Sequence, residues 1–470
     1  MPSEVEVRQI APDPLEPDPV LATGRDDAGL TDKLFEFVWR RPRQVWWLMF
    51  ATSAAITLLF GVAIFVTVGW GPGTWGVQIP VAWAFAITNF VWWIGIGHAG
   101  TLISAILLLF LQRWRTSINR FAETMTLFAV MCAGMYPVLH LGRPWFAYWL
   151  LPYPATMRVW PQFKSPLVWD AFAVTTYFTV SVLFWYLGLL PDLAALRDCS
   201  PKRWQRLAYG LLAMGWRGSA RHWRHYRSAY LLLAGLATPL VVSVHSIVSM
   251  DFAVAIVPGW HETIFPPYFV AGAIFSGFAL VATLIIPARS FLGFQEVITE
   301  RHIDNMCKVM LATGWIVAYT YFIEFFLAFY GGNPFERHTA MARATGHYAG
   351  VFWVVIACNV LVPQSFWSRR VRHSALLVWI ASILINVGMW CERYMLIATS
   401  LYQDYLPSSW RPYRPTWVDW SLYIGSLGFF FMMFLLAIKM LPIVPLSETK
   451  EMRQELLENP SSGALAVPVS

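Results

Sequence analysis

Residues 167–190 read LVWDAFAVTTYFTVSVLFWYLGLL, an apolar run interrupted by one charged residue, Asp170. A transmembrane helix needs about 20 predominantly apolar residues, so this run predicts a membrane span. Burying an ionisable group in a membrane costs several kcal/mol, and such a group is a functional-site hypothesis by default. The stretch therefore predicts both the fold class and one position at which to search for the site.

Similar runs recur along the chain and predict an all-α polytopic membrane protein with ten transmembrane helices. The ten predicted spans are Trp46–Trp70, Val81–Leu111, Ala122–Leu141, Leu167–Leu190, Ala229–Met250, Pro267–Pro287, Met306–Tyr330, His347–Trp367, Ala375–Ala398 and Trp420–Leu441. The eighth is the least regular, because Asn359 and Pro363 interrupt it. The composition agrees: 57% of residues are hydrophobic and 13% are charged, whereas soluble domains carry about 25% charged residues.

The distribution of lysine and arginine predicts the orientation. If the chain before the first span is cytoplasmic, the four cytoplasmic loops contain 17 basic residues and the five outer loops contain 7. The positive-inside rule then places both termini in the cytoplasm, as tails of residues 1–45 and 442–470 around a transmembrane domain of residues 46–441. The first 32 residues are acidic and proline-bearing, which predicts a flexible or partner-bound tail. The net charge of +7 lies in short loops and does not indicate nucleic-acid binding.

The cysteines do not indicate a metal site. None of the five forms a CxxC pair, and four lie in apolar runs. No CxxCH motif is present, and no two helices carry the stacked histidines that a bundle of the cytochrome b type would need. We therefore expect neither a haem nor an iron–sulfur cluster in this chain.

Several ionisable residues fall near one membrane face when the spans are threaded alternately. They are His140, Asp170, His245, Asp251, Glu324, Glu392 and Arg393, with His98 nearer the middle of span two. Each has a structural alternative. His140 could lie at the head-group level, the two aspartates could cap helices or pair with arginine, Glu392 and Arg393 could form a structural ion pair, and His245 could be a satisfied core histidine.

The grouped residues suit the chemistry of a quinol. Its oxidation releases two protons and two electrons from two hydroxyl groups. A histidine or a carboxylate near each hydroxyl can accept a proton. An apolar groove between helices can hold the isoprenoid tail. Because this chain offers no redox centre, the electrons must go to a partner.

Three stretches carry a family resemblance: ITERHIDNMCKVMLATGWIVAYTYFIEFFLAFYGGNPFE at 298–336, PVLHLGRPW at 137–145 and SPLVWDAF at 165–172. The first resembles the signature of the NrfD/PsrC family of quinone-interacting membrane subunits, and the other two resemble its outer-face quinone pocket. Ten spans resemble the ActC branch of alternative complex III more than the eight-span members. The resemblance implies two four-helix bundles, at about residues 81–251 and 267–398, with the first and last spans peripheral.

The resemblance also implies partners in a bacterial inner membrane: an iron–sulfur protein on the periplasmic side, cytochrome c subunits and a second NrfD-like membrane subunit. We expect the partner to dock on the outer loops 143–166 and 257–267. The implied substrate is menaquinol or ubiquinol, with proton translocation as a second activity.

These observations predict a quinol-oxidising subunit of a quinol:electron-acceptor oxidoreductase of the cytochrome c type. The residues expected to act are His140 and Asp170 in catalysis; these two with Arg143, His245, Asp251 and Arg393 in quinol binding; and His98, Asp251, Glu324, Glu392 and Arg393 in a proton path. Two alternatives stay open: a membrane anchor of a polysulfide- or nitrite-type reductase, in which electrons could run the other way, and an ion or solute transporter, because two bundles with buried charges suit alternating access. A passive scaffold would not need the buried acids.

Overall fold

A computed structural model describes residues 20–22, 24–150 and 164–458, without the side chains of residues 98, 149 and 150. The helices are α1 (Asp27–Trp39), α2 (Gln44–Trp70), α3 (Phe85–Leu109), α4 (Asn119–His140), α5 (Pro166–Cys199), α6 (Arg203–Leu212), α7 (Ala220–Ala253), α8 (Phe265–Leu292), α9 (Glu300–Tyr330), α10 (Pro334–Thr345), α11 (Ala349–Trp367), α12 (Ala375–Leu401), α13 (Trp417–Met440) and α14 (Leu446–Glu458). Short 3-10 turns lie between some of them, and the described residues contain no β-strand.

Ten of these helices are long and apolar enough to cross a membrane: α2 to α5, α7 to α9 and α11 to α13. They correspond one to one with the ten predicted spans, so the predicted all-α polytopic fold is confirmed. The irregular eighth span is helical as well. Its interruption is a π-helical turn at Ile356–Leu361, in which the buried Asn359 points its amide towards Tyr321 of α9.

Small residues bring the helices of the membrane domain close together. A Cβ on Gly100 of α3 would lie 2.1 Å from the Ala122 carbonyl oxygen of α4, and one on Gly277 of α8 would lie 1.8 Å from Ala99 Cβ. Backbones can approach this closely only where side chains are minimal. As a result α3 packs against α4, α7 and α8, and it joins a group formed by α3, α4, α5 and α7 to a group formed by α8, α9, α11 and α12.

The first and last spans form a pair of their own. Gly425 and Gly428 of α13 pack against Phe60 and Ile56 of α2, where any Cβ would be 2.4 to 2.5 Å from a neighbouring carbon. The other side of α2 exposes large apolar side chains, including Leu58 at 73% and Phe65 at 68%. An apolar surface of this kind suits contact with lipid or with another membrane protein.

Two ends of the domain are named here by residues they contain. The His140 face carries the C-terminus of α4, and the Arg120 face carries its N-terminal turn. At the Arg120 face, α1 and α14 pack on the spans: Leu30 and Leu34 are buried, and Arg115 forms an ion pair of 2.9 Å with Glu448. The prediction of a flexible or partner-bound tail is therefore wrong for residues 27–32, which begin α1. Residues 1–19 and 459–470 lie outside the described residues.

Candidate functional site

An apolar cavity of about 580 Å³ lies at the His140 face between α4 and α5 and the segment that precedes α3. Its size falls in the range of about 300 to 1,000 Å³ that is typical of small-molecule sites. It is lined by Trp83, Ile87, Phe90, Gly134, Pro137, Val138, His140, Leu141, Ala147, Tyr148, Leu167, Asp170, Ala171, Val174, Thr175 and Asp251. Among these, the ionisable residues expected to handle protons are His140, Asp170 and Asp251, so three predicted site residues meet in one cavity.

The end of α4 positions His140. The helix stops there because Gly142 adopts a left-handed conformation, with φ of 71°, that suits a helix terminus. A Cβ on Gly142 would lie 2.3 Å from Pro72 Cδ, so the chain needs glycine at this close approach. The His140 ring lies 5.9 Å from the ring of Trp75, and its Nδ1 is buried without a hydrogen-bond partner in the described part of the chain. The imidazole is thus fixed against an indole and has a nitrogen available for a ligand.

Two carboxyl groups meet across the same cavity. Asp170 lies in the second turn of α5 and is 7% exposed, and Asp251 lies in the last turn of α7. Their side chains are within hydrogen-bonding reach of each other. Within the described residues, one oxygen of each, Oδ1, is buried without any partner. A carboxyl pair in an apolar wall can take up a proton and hold it between two oxygens, which a single capping aspartate would not do.

An aromatic group forms the side of the cavity that adjoins the second group of helices. The ring of Trp83 lies 5.9 Å from that of Trp260 and 6.2 Å from that of Phe252. Trp260 is 4% exposed and donates its indole N–H to the Leu396 carbonyl at 2.7 Å. Trp83 and Tyr148 were not predicted as site residues, although aromatic side chains next to predicted helix ends are a recognisable signal of such a wall.

Four other predicted residues lie elsewhere. Arg143 is exposed after α4 and does not line the cavity. His245 is buried in α7, faces Arg393 and bonds to the Val241 backbone, as in the satisfied-histidine alternative. Arg393 forms an ion pair of 3.1 Å with Glu392 and lies 4.1 Å over the ring of Phe269. The quinol-binding roles predicted for Arg143, His245 and Arg393 therefore have no support from the lining of this cavity.

The second helix group contains its own buried polar network. Tyr321 donates a hydrogen bond to Glu392, and Asn359 donates to Tyr321 at 2.9 Å and to Glu392 at 3.4 Å. His98 is on α3, and its side chain is outside the described part. The remaining predicted residue, Glu324, pairs with Arg343 rather than with this network.

Arg343 is a buried residue that the sequence interpretation assigned to a loop. It lies in α10, is 3% exposed and binds Glu324 at 3.2 Å. Asn333 caps this helix and Pro334 occupies its first turn. This cap-and-proline pattern was a visible signal of a helix start. Nearby, burial and the Glu324 carboxylate raise the pKa of Glu262 to about 8, although Arg343 opposes the shift.

No set of three or more His, Cys, Asp or Glu side chains is arranged to hold a metal ion in the ranges 20–22, 24–150 and 164–458. The five cysteines are all free thiols. The docking loop predicted at 143–166 lies largely outside the described residues, whereas the loop at 257–267 is fully described.

The chain was compared with known proteins. Residues 75–403 match the family model described as "Polysulphide reductase, NrfD". The chain is 21% identical to the C subunit of selenate reductase from Mesobacillus selenatarsenatis, over 87% of this chain and 96% of that protein. It is 23% identical to the putative C-type membrane component of a dimethyl sulfoxide reductase from Halobacterium salinarum, over 78% of this chain and 85% of that protein.

The family match begins before α3, ends after α12 and includes every residue that lines the cavity. It thus covers well over half of the chain, together with both groups of helices. This protein belongs to the NrfD family of multi-pass membrane proteins.

Proposed function

We propose that this chain is the quinol-oxidising membrane subunit of an oxidoreductase complex, with the quinol head group bound in the cavity at the His140 face. The observation that carries the proposal is the meeting of His140 with the Asp170–Asp251 pair in one apolar cavity. Family membership supports it, as do the names of the two relatives, both of which are components of reductases.

The residues present fit a quinol. A quinol has two hydroxyl groups on opposite sides of an apolar ring. The cavity offers buried atoms without partners at His140 Nδ1, Asp170 Oδ1 and Asp251 Oδ1, each of which could bind a hydroxyl group. Gly134 and Thr175 line the cavity and are exposed on the side of the domain between α4 and α5. An isoprenoid tail would leave the cavity there and lie among lipid chains.

The chemical work of this chain is proton acceptance. His140 takes one proton at an imidazole nitrogen, and the Asp170–Asp251 pair takes the other at a carboxylate oxygen. Loss of two protons and two electrons converts the quinol to the quinone. The electrons pass to an iron–sulfur centre in a partner docked at the His140 face, and the protons leave on the same side.

The final acceptor distinguishes two forms of the proposal. Ten spans favour a complex of the alternative complex III type, with cytochrome c subunits and a second NrfD-like subunit. The names of the relatives favour a terminal reductase. Both forms begin with quinol oxidation at the same cavity, place both termini in the cytoplasm and use menaquinol or ubiquinol.

Proton movement through the domain is a second part of the proposal. The Glu392–Tyr321–Asn359 network is buried within the second helix group and could relay a proton. Arg393, Glu324 and His98 are the further residues proposed for this path. A transporter would also bury charges, but the similarity to components of redox complexes favours the oxidoreductase.

The test uses the intact complex with His140→Gln and, as a matched control, His347→Gln, which alters an exposed histidine at the same face. Quinol oxidation per assembled complex should fall about 100-fold or more in His140→Gln, the scale of losing a general base. The control should retain turnover. Equal turnover in the two variants, with normal assembly, would refute the proposed site.

A further inference from the structure

The loop between α7 and α8 joins the cavity to a charged cluster that does not touch it. At its start, Asp251 lines the cavity. Further on, Trp260 packs its ring against Phe252 at 4.9 Å and against Trp83, which also lines the cavity. The position of this loop therefore determines where one wall of the cavity lies.

Charged side chains of α10 hold the loop at a single residue. The Gly259 N–H donates to Glu336 Oε2 at 2.5 Å, and the Gly259 carbonyl accepts from Arg343 Nη2 at 3.1 Å. Gly259 has φ of 80°, and a Cβ there would lie 2.8 Å from Arg343 Nη2. Hydrogen bonds with an ionised partner are about twice as strong as neutral ones. Both backbone groups of Gly259 are thus fixed by ionised groups, immediately before Trp260.

Arg343 is itself held from two more helices. Its Nη1 binds Glu324 of α9 at 3.2 Å, and its Nη2 binds Ser400 Oγ of α12 at 2.9 Å. A guanidinium presents several donors in a fixed planar arrangement, so one arginine can join three elements in a defined geometry. The positions of α9, α10 and α12 are therefore transmitted to Gly259.

The charges around this arginine do not balance when all groups are ionised. Glu262 faces the cluster from the loop, Glu324 from α9 and Glu336 from α10, with Arg343 as the buried cation and His261 near Glu336. Burial, followed by Glu324, raises the pKa of Glu262 to about 8. Burial also raises the pKa of Glu336, which the Gly259 N–H opposes. Ionisation of Glu262 would add a negative charge that competes for Arg343.

We infer that Glu336 and Arg343 are positioning residues for the quinol cavity: they fix Gly259, and through Trp260 and Trp83 they hold one wall in place for the head group. This inference rests on the proposed function. Neither residue lines the cavity, so loosening the contact should weaken quinol binding more than it slows proton acceptance. Glu262 couples that contact to pH.

The test measures KM and kcat for quinol in the assembled complex with Glu336→Ala, Glu336→Gln and Gly259→Ala. We expect KM to rise about tenfold in Glu336→Ala and in Gly259→Ala with kcat within about twofold, the pattern of lost uniform binding. Glu336→Gln keeps an acceptor for the Gly259 N–H and should restore KM. The matched control is Arg337→Gln, an exposed residue of the same helix, which should not change KM.

A pH series separates positioning from general support of the fold. The wild-type KM should rise as the pH passes about 8, and Glu262→Gln should remove that step. If the variants lower the amount of complex while KM and its pH dependence stay unchanged in what assembles, the inference is wrong. If His140→Gln retains full turnover, the proposed function has failed. If His140→Gln is inactive and Glu336→Ala has a normal KM, only the positioning role has failed.

Discussion

Replacing Asp170 with asparagine tests the proton acceptor in the cavity. The change keeps the size of the side chain and its ability to hydrogen-bond, but it removes the carboxylate. Loss of a general base typically costs about 10² to 10⁴ in rate. Because Asp251 is within reach of the same proton, we expect the lower end, about 100-fold, which corresponds to about 2.7 kcal/mol in the activation barrier.

The neighbouring carboxyl group allows a sharper form of this test. Asp251→Asn alone should cost about tenfold, because Asp170 remains, and the double variant should cost about 10³-fold or more. The assay is quinol oxidation per assembled complex by a purified preparation. The matched control is Asp198→Asn, which changes an exposed aspartate of the same helix, paired with Arg197, far from the cavity. Wild-type turnover in the double variant would refute the acceptor role of the pair.

Three further predictions follow from the described contacts. Arg120→Ala should destabilise the domain by about 3 to 5 kcal/mol, because it leaves Asp192, its partner at 3.1 Å, buried without a counter-charge; thermal unfolding in detergent measures this, and an unchanged midpoint would contradict it. The pKa of Glu262 is raised to about 8, so the folded state binds this proton more tightly than the unfolded chain, and stability should fall as pH rises from about 4.5 to 8; Glu262→Gln should flatten that slope in pH-dependent unfolding, and an equal slope in both proteins would argue against it. The chain purified alone should contain neither haem nor iron, which a visible spectrum and an iron assay would check, and a stoichiometric signal would overturn the assignment of the redox centres to partners.

Hydropathy was sufficient to predict the ten spans because each needs only a long apolar run. The π-helical turn at Ile356–Leu361 was marked in advance only as an irregularity at Asn359. Helix α1 carried a readable signal, since Leu30, Leu34 and Phe35 recur at helical spacing after the Asp26 cap. Its acidic, proline-bearing surroundings concealed that signal.

The site was predictable only in part, because sequence gives depth in the membrane more readily than direction around a helix. His140 and Asp170 lie on consecutive helices near the same face, so their meeting could be expected. The contact between Asp170 and Asp251 depends on how α5 packs on α7, and the separation of Arg393 from the cavity depends on its stacking over Phe269. Neither packing arrangement can be read from a period or a spacing.

The most direct test of the central claim is a density map of the assembled complex with a bound quinone analogue. We predict a head group in the cavity at the His140 face, with one oxygen near His140 and the other near the Asp170–Asp251 pair, and a tail leaving between α4 and α5. A head group bound in any other part of the domain, with this cavity filled only by lipid or side chains, would contradict the assignment of quinol oxidation to these residues.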